Sequence, residues 1–253
     1  MRRLSLLLVI PLLLAACGKK GPLIYPDMLV PEAPSAVTVR QAGVGMRLSF
    51  VLPRKDLAEQ SLTDLAGVRI LKRESMPSPP QDCPACTDSF RLFRTLYVDV
   101  QDGSVRRYGS LMVLLDSDVR AAGVYTYRVV PFTKKGVDGA ASAPVTATMV
   151  PPPIPPVLHI FPSPTDIRLE FVGLLPVIGS LVGYDLYRAV KGEDLPFLPL
   201  NKAPLSGSSF TDSGLNRGVT YSYAARLIVR MPTGELVESI LSNQVEGALR
   251  EDE

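Results

Sequence analysis

The chain has 253 residues, of which 27 are Lys or Arg and 25 are Asp or Glu, so its formal net charge is only +2. This balance argues against a nucleic-acid partner, because nucleic-acid-binding domains normally carry a strongly basic face. Apolar residues make up 46% of the chain and 24 residues are proline, a mixture that favours a folded, β-rich protein with many turns over a disordered one.

The N-terminal segment has the layout of an export signal. Arg2 and Arg3 precede an apolar run over residues 4–16, and small residues stand directly before Cys17. The run is shorter than the roughly 20 apolar residues that a membrane-spanning helix needs. A basic start, a short apolar stretch and a small-residue end are typical of a secretory signal peptide. We therefore expect residues 1–16 to be removed on export.

The sequence Leu14-Ala15-Ala16-Cys17 also resembles the lipobox of bacterial lipoproteins. In that family the cysteine sulfur takes a diacylglycerol, the signal is cleaved directly before the cysteine, and the new amino group is acylated. The resemblance implies this lipidation for Cys17 and an anchor at the periplasmic face of the outer membrane, since Gly18 and not Asp follows the cysteine. Two or three acyl chains are enough for stable anchoring. An ordinary cleaved signal with an incidental cysteine is the alternative.

An internal repeat divides the rest of the chain. Four segments recur in the same order, and most alternate apolar and polar residues, as strands with one buried face do. Proline-rich residues 150–156 separate the copies and should form a stiff, extended connector. After a tether over residues 17–33, we predict one domain over residues 34–150 and a second over residues 151–253, which includes an acidic tail. The recurring segments are MRLSF (46–50) and IRLEF (167–171), GVRILKR (67–73) and GYDLYRA (183–189), GVYTYRVV (123–130) and GVTYSYAARL (218–227), and SAPV (142–145) and SNQV (242–245).

Each copy resembles a fibronectin type III domain, the second most closely, through FTDSGLNRGVTYSY (210–223). The resemblance implies an all-β fold of two tandem immunoglobulin-like β-sandwiches, in which Tyr125 and Tyr221 pin the turn before strand F. The family usually keeps a core Trp, which this chain lacks, so Leu and Phe side chains would fill that space. Alternation predicts a core of Leu48, Phe50, Val68, Ile70, Tyr125, Tyr127 and Val129 in the first copy, and of Leu169, Phe171, Leu186, Tyr221, Tyr223 and Ala225 in the second.

The first copy carries an insertion with a CxxC pair, Cys83 and Cys86. Residues 67 and 125 are 58 positions apart, whereas the matching residues 183 and 221 are 38 apart, which leaves 20 extra residues in the first copy. A redox couple would need a helix N-terminus at the first cysteine, zinc would need four ligands, and attached haem would need His where Thr87 stands. A short disulfide in an oxidising compartment is the interpretation we favour.

The sequence shows no motif of an enzyme, a metal site or a cofactor site. His159 is the only histidine, and there is no GxSxG or Gly-rich phosphate loop. We therefore predict no catalytic, cofactor-binding or metal-binding residue, apart from the lipid on Cys17. The first functional interpretation is a binding or scaffold module that presents its sandwich loops, the Cys83–Cys86 loop in particular, to a protein partner in the envelope. An accessory carbohydrate-binding module of a degradative system is another, although the strand-F tyrosines are expected in the core.

The tether supports a further interpretation. CGKKGPLIYP (17–26) resembles the start of the small lipoprotein that assists maturation of the lipopolysaccharide-transport translocon, a protein that is short and has no sandwiches. The resemblance implies an assembly factor that acts through this motif, whereas a plain spacer would need only length and solubility. The matching residues are Cys17, Gly18, Lys20, Gly21, Pro22, Leu23 and Pro26. Of these, the candidates for partner binding are Gly18, Lys20, Gly21, Pro22 and Leu23.

Overall fold

The computed structural model describes residues 25–75, 90–100 and 102–251. Apart from a short 3-10 helix at Pro26–Met28, the regular structure of these residues is β-strand throughout, and none of their helices is long and apolar enough to cross a membrane. The first sandwich contains β1 (Ser35–Ala42), β2 (Gly45–Val51), β3 (Leu65–Ser75), β4 (Arg91–Tyr97), β5 (Val105–Tyr108), β6 (Leu111–Asp116), β7 (Val124–Thr133) and β8 (Val145–Thr148). The second contains β9 (Val157–Pro162), β10 (Asp166–Val172), β11 (Ser180–Val190), β12 (Ser209–Ser213), β13 (Tyr221–Arg230), β14 (Leu236–Glu238) and β15 (Val245–Gly247).

The strands of each sandwich lie in two layers. In the first sandwich one layer has the order β4-β3-β7-β8 and the other contains β1-β2-β6-β5. In the second, β12-β10-β9 form one layer, and β11 and β13 lie in the other with the split last strand, β14 and β15, which both pair with β13. Placement of the first two strands in one sheet and of the third and the penultimate in the other is the Greek-key arrangement of immunoglobulin-like sandwiches. The predicted all-β fold of fibronectin type III-like sandwiches is confirmed.

The core predicted from alternation is confirmed in both copies. Every one of the thirteen predicted core residues is buried, with no more than 7% of its surface exposed. They fall into two separate clusters, one for each sandwich. The strand-F tyrosines are therefore core residues, and they offer no exposed aromatic platform for a sugar.

The repeat extends to individual hydrogen bonds. The backbone N–H of Arg120 donates to the Tyr125 hydroxyl at 2.5 Å, and that of Asn216 donates to the Tyr221 hydroxyl at 3.1 Å. Both bonds reach five residues upstream, as the pinning role of these tyrosines requires. The first residue of GVRILKR and of GYDLYRA must be glycine for the same steric reason in each copy. A Cβ on Gly67 would collide with the carbonyl oxygen of Leu96, and a Cβ on Gly183 with that of Leu205.

The two sandwiches share one continuous sheet. β1 pairs in parallel with β14 through Gln41 with Val237 and Ala42 with Glu238, so one eight-stranded sheet runs through both. Arg47, which points outward from β2, donates to the hydroxyl of Tyr187 on β11, so the outward faces of the two halves pack on each other. The sandwiches therefore form one block, and the connector alone does not set their spacing.

Candidate binding surface

The site residues predicted from the sequence lie outside the described residues. This holds for the lipidation site Cys17, for the cysteine pair, and for the partner-binding candidates of the tether. The structure therefore does not test their roles, and each stays a prediction. These residues are Cys17, Gly18, Lys20, Gly21, Pro22, Leu23, Cys83 and Cys86.

The second half of the predicted tether is bound to the first sandwich. The carbonyl oxygens of Met28 and Val30 accept hydrogen bonds from the backbone of residues 57 and 58, at 3.0 Å each. The carbonyl oxygen of Pro31 accepts one from Ala140 at 2.9 Å. Residues 28–31 of the predicted tether are therefore part of the first sandwich's surface and do not form a free linker.

Each sandwich buries a charged cluster at equivalent positions. In the first, the Tyr127 hydroxyl donates to Asp116 Oδ2 at 2.6 Å, and Lys72 Nζ lies 2.7 Å from the same oxygen. Burial and this hydrogen bond raise the pKa of Tyr127 far above its ordinary value. A tyrosine held in its neutral form and an aspartate paired with a lysine are poor catalytic groups, so we interpret the cluster as structural.

The second sandwich repeats this cluster. Arg188 Nη1 lies 2.9 Å from both carboxylate oxygens of Asp212, and the Tyr223 hydroxyl donates to Asp212 Oδ2 at 2.8 Å. Burial, followed by the bond to Asp212, raises the pKa of Tyr223. Sequence reasoning missed both clusters, although the Asp-to-Tyr spacing of 11 residues is the same in each copy (116 to 127 and 212 to 223).

A second buried charge cluster lies between the sandwiches. Glu238 on β14 is fully buried and forms ion pairs with Arg47, which is 12% exposed, and with Arg40 at 3.4 Å. Burial by itself would lower the pKa of Arg47, but the charge of Glu238, the charge and hydrogen bond of Tyr187 and the charge of Asp185 together outweigh it, and the pKa is raised. Burial, followed by the same charge, raises the pKa of Asp185 and raises that of Tyr187 to about 12. The cluster joins strands that both sandwiches contribute to the shared sheet, and it ties the sandwiches together.

Hydrogen bonds also fix the start of the connector and the loop after β11. The buried side chain of Gln41 donates to the carbonyl oxygen of Val150 at 2.7 Å and accepts from its N–H at 2.9 Å. The loop after β11 returns to the first sandwich, where the N–H of Phe197 donates to the Tyr108 hydroxyl at 3.1 Å. Asp194 in that loop forms an ion pair with Arg106 at 3.4 Å. The two sandwiches are thus joined at the shared sheet and, separately, at the loop after β11, while Gln41 fixes the start of the connector to the first sandwich.

The most prominent exposed feature of the described residues is an apolar loop between β10 and β11. We call Leu174, Leu175, Val177 and Ile178 the apolar tip; their surfaces are 68%, 79%, 96% and 61% exposed. Single exposed apolar residues need no explanation, but a contiguous apolar patch on a soluble protein usually marks an interaction site. The tip is therefore the candidate binding surface.

The connector extends this surface. Residues 151–154, which are Pro-Pro-Pro-Ile, lie beside the tip and line with it an apolar groove of about 310 Å³, with Leu227 and Met231 at its floor. Ile154 is exposed for 59% of its surface, and Val157 at the start of β9 and Val172 at the end of β10 are about half exposed. The surface thus joins a projecting loop to a stiff proline segment.

A glycine determines how the loop rejoins the sheet. Gly179 has φ +86°, in the left-handed region that disfavours other residues, and a Cβ there would collide with the carbonyl oxygen of Arg230. The chain can therefore turn sharply into β11 and leave the preceding apolar residues outside the sandwich. Sequence reasoning missed this surface; the signal it left is an uncharged apolar run, VGLLPVIG (172–179), between two alternating strands.

The described residues contain no group of three or more His, Cys, Asp or Glu side chains that could hold a metal ion. No protein-family model matches this chain, and neither does any curated protein sequence. Among solved structures, it is similar to the chicken CNTN1 FN1-FN3 domains, at 13% identity and a TM-score of 0.33, over 88% of this chain and 69% of that one. The assignment of fibronectin type III-like sandwiches rests on the strand order and the two tyrosine hydrogen bonds.

Proposed function

We propose that this protein is a non-catalytic, lipid-anchored envelope protein that acts as a binding or scaffold module through its sandwich loops. The observation that carries the proposal is the apolar tip, Leu174, Leu175, Val177 and Ile178, which the fold leaves exposed. Burying one such side chain contributes about 1.5–3 kcal/mol. Exposure of four neighbours is therefore costly unless another surface covers them.

The rigidity of the block supports a scaffold. The shared sheet, the ion pairs of Glu238 and the hydrogen bond from Phe197 to Tyr108 hold the two sandwiches in one arrangement. A binding loop on a rigid base loses less conformational entropy when it meets a partner than a loop on a mobile base does.

Site-specific photo-cross-linking in cells tests the proposal. A photoreactive amino acid at Val177, which is 96% exposed, should give adducts with another envelope component. The matched control is Val137, which is 47% exposed in a turn of the first sandwich and should give none. Absence of adducts from position 177 in anchored, folded protein would contradict the binding function.

The proposed anchor is a diacylglycerol on Cys17, at the periplasmic face of the outer membrane. The support is the sequence Leu14-Ala15-Ala16-Cys17. Cys17→Ser should leave the protein unprocessed or release it to the soluble fraction. A Cys17→Ser protein that is cleaved and still fractionates with the outer membrane would show that the lipid is not the anchor.

We also propose that Cys83 and Cys86 form a disulfide that holds the loop between β3 and β4. Alkylation of the denatured, unreduced protein should leave both unmodified, and reduction should expose them. The fold should survive replacement of both by Ser, because the core that alternation predicts for the first sandwich includes neither residue. Two free thiols in carefully unreduced protein, or bound zinc, would reject the disulfide.

A second candidate function is assembly of an outer-membrane complex through the tether motif. It is favoured by the match of residues 17–26 to the start of the lipoprotein that assists translocon maturation. Scrambling residues 19–25 at constant composition keeps Cys17, Gly18 and the docked segment, residues 28–31. If the scrambled protein stays anchored and folded but loses an envelope partner, the motif is a recognition element. If every partner is kept, it is a spacer.

A further inference from the structure

We infer that the apolar tip binds the lipid bilayer itself, by inserting into the boundary between headgroups and acyl chains. The inference rests on the proposed lipid anchor and names the partner of the proposed binding surface. The chemistry of the tip, its shape, its surrounding charges and the reach of the tether support it.

The chemistry of the tip suits hydrocarbon better than a protein interface. Protein interfaces draw their affinity chiefly from Trp, Tyr and Arg, whereas Leu and Val are under-represented among the residues that matter most. The run 172–179 contains Val, Gly, Leu, Pro and Ile only, without an aromatic ring or any side chain that can form a hydrogen bond. Leu, Ile and Val are among the residues that partition most favourably into a bilayer.

The shape of the tip also favours a fluid partner. Val177 is 96% exposed, so it projects from the block and almost none of its surface contacts other residues of the protein. A peptide group taken into hydrocarbon needs its N–H satisfied, and Pro176 at the tip has no N–H. An insertion depth of about 5–10 Å, typical of interfacial segments, would cover the side chains and leave the strand ends in the headgroup layer.

The charges around the tip indicate which lipids it needs. Arg230 at the end of β13 pairs with Ser180 directly after the loop, and Glu235, of opposite charge, lies in the turn that follows β13. No ionisable residue lies within residues 172–179. Binding should therefore occur on zwitterionic lipid and change little with salt, unlike binding by a basic patch.

The tether keeps the bilayer within reach. Eight residues lead from Cys17 to Tyr25, and at about 3.3–3.6 Å per residue they span at most about 30 Å. A short tether keeps the membrane at a high effective concentration near the block. Even a loop with low affinity for the bilayer would therefore be bound for much of the time.

A single tryptophan tests the inference, because the chain contains none. We would prepare acylated protein with Val177→Trp, with Val137→Trp as the control, and reconstitute each in phosphatidylcholine vesicles. The inference requires a blue-shifted emission and quenching by lipids brominated on their acyl chains for Trp at position 177 only, at both low and high salt. Adding Leu175→Asp to Val177→Trp should reduce the bound fraction about tenfold or more. Circular dichroism should show that both variants stay folded, since position 175 is 79% exposed.

Two other outcomes separate the inference from the proposed function. If Trp at position 177 stays unquenched in vesicles but a photoreactive residue there is cross-linked to an envelope protein, the bilayer is overturned as the partner and the binding function stands. If the tryptophan stays unquenched and the photoreactive residue gives no adduct, both are overturned.

Discussion

Replacing Glu238 by Gln should destabilise the whole block, because this carboxylate is the common anion of the charge cluster between the sandwiches. It is fully buried and pairs with Arg47 and Arg40, and its second oxygen lies 3.9 Å from Arg226. The variant keeps the shape and a hydrogen-bonding oxygen but removes the negative charge. Arg47, only 12% exposed, would then be a buried cation without its main partner.

The structure allows a magnitude for this loss. Removing one partner of a buried ion pair costs about 3–5 kcal/mol. We place Glu238→Gln near the lower end, about 3 kcal/mol, because Asp185 adjoins the cluster and supplies a second anion. For a protein of this size each kcal/mol lowers Tm by about 2–4 °C, so Tm should fall by about 6–12 °C.

The assay is urea and thermal unfolding followed by circular dichroism, with a double-mutant cycle. Arg47→Met with Glu238→Leu replaces the pair by apolar side chains and should recover most of the lost free energy of unfolding, since such replacements are often neutral or stabilising. Glu170→Gln is the matched control. It removes the exposed pair with Arg168, 3.1 Å apart, and should cost less than about 1 kcal/mol.

Two results would show that Glu238 does not join the sandwiches. If Glu238→Gln changes the free energy of unfolding no more than Glu170→Gln does, the cluster does not hold the sandwiches together. The double variant is also compared with its single variants, Arg47→Met and Glu238→Leu. If its loss in free energy of unfolding equals the sum of their losses, the two side chains are not coupled, and another contact must hold the block.

Three further predictions concern single residues. Tyr127→Phe should destabilise by about 1–3 kcal/mol in urea unfolding, because Asp116 loses a buried hydrogen-bond donor while it keeps its lysine. Gly179→Ala should cost more than Gly192→Ala; both have positive φ, but only the first would bring a Cβ against backbone, so the difference in Tm between the variants measures the collision. Burial, followed by the charge of Glu238, raises the pKa of Asp185 above 3.8 in the folded state. The folded protein therefore keeps the Asp185 proton to a higher pH than the unfolded chain does. The free energy of unfolding should fall as the pH rises from 3.8 through the folded pKa of Asp185. Asp185→Asn should remove this slope in a series of thermal unfolding curves, and an unchanged slope would contradict the assignment.

Much of each sandwich could be predicted from the sequence, because strand alternation reports directly on which side chains face inward. Leu48 and Phe50 in one copy, and Leu169 and Phe171 in the other, are buried as their positions indicate. The repeat also identified Tyr125 and Tyr221 as equivalent residues of the two copies, and the hydroxyl of each accepts the same backbone hydrogen bond in its own sandwich. These features are local or depend on one sandwich only.

The candidate binding surface could not be predicted in this way. An uncharged run such as residues 172–179 has the composition of a buried strand, and composition does not say whether such a run lies inside or outside. The backbone turn at Gly179 and the neighbouring proline connector decide that the side chains of Leu175 and Val177 stay outside. That decision depends on where Arg230 lies in the folded sheet.

The sequence by itself determined two β-sandwiches and their cores, because alternation and the internal repeat are properties of short segments. Only the tertiary structure decided that the sandwiches join into one block. Arg47, Asp185 and Glu238 occupy the outward positions of their strands, where alternation predicts solvent. They are buried because strands that the two sandwiches contribute to the shared sheet pack against each other: Arg47 binds Tyr187 and Glu238, which lie 140 and 191 residues further along the chain. A pattern within one strand holds no information about that contact.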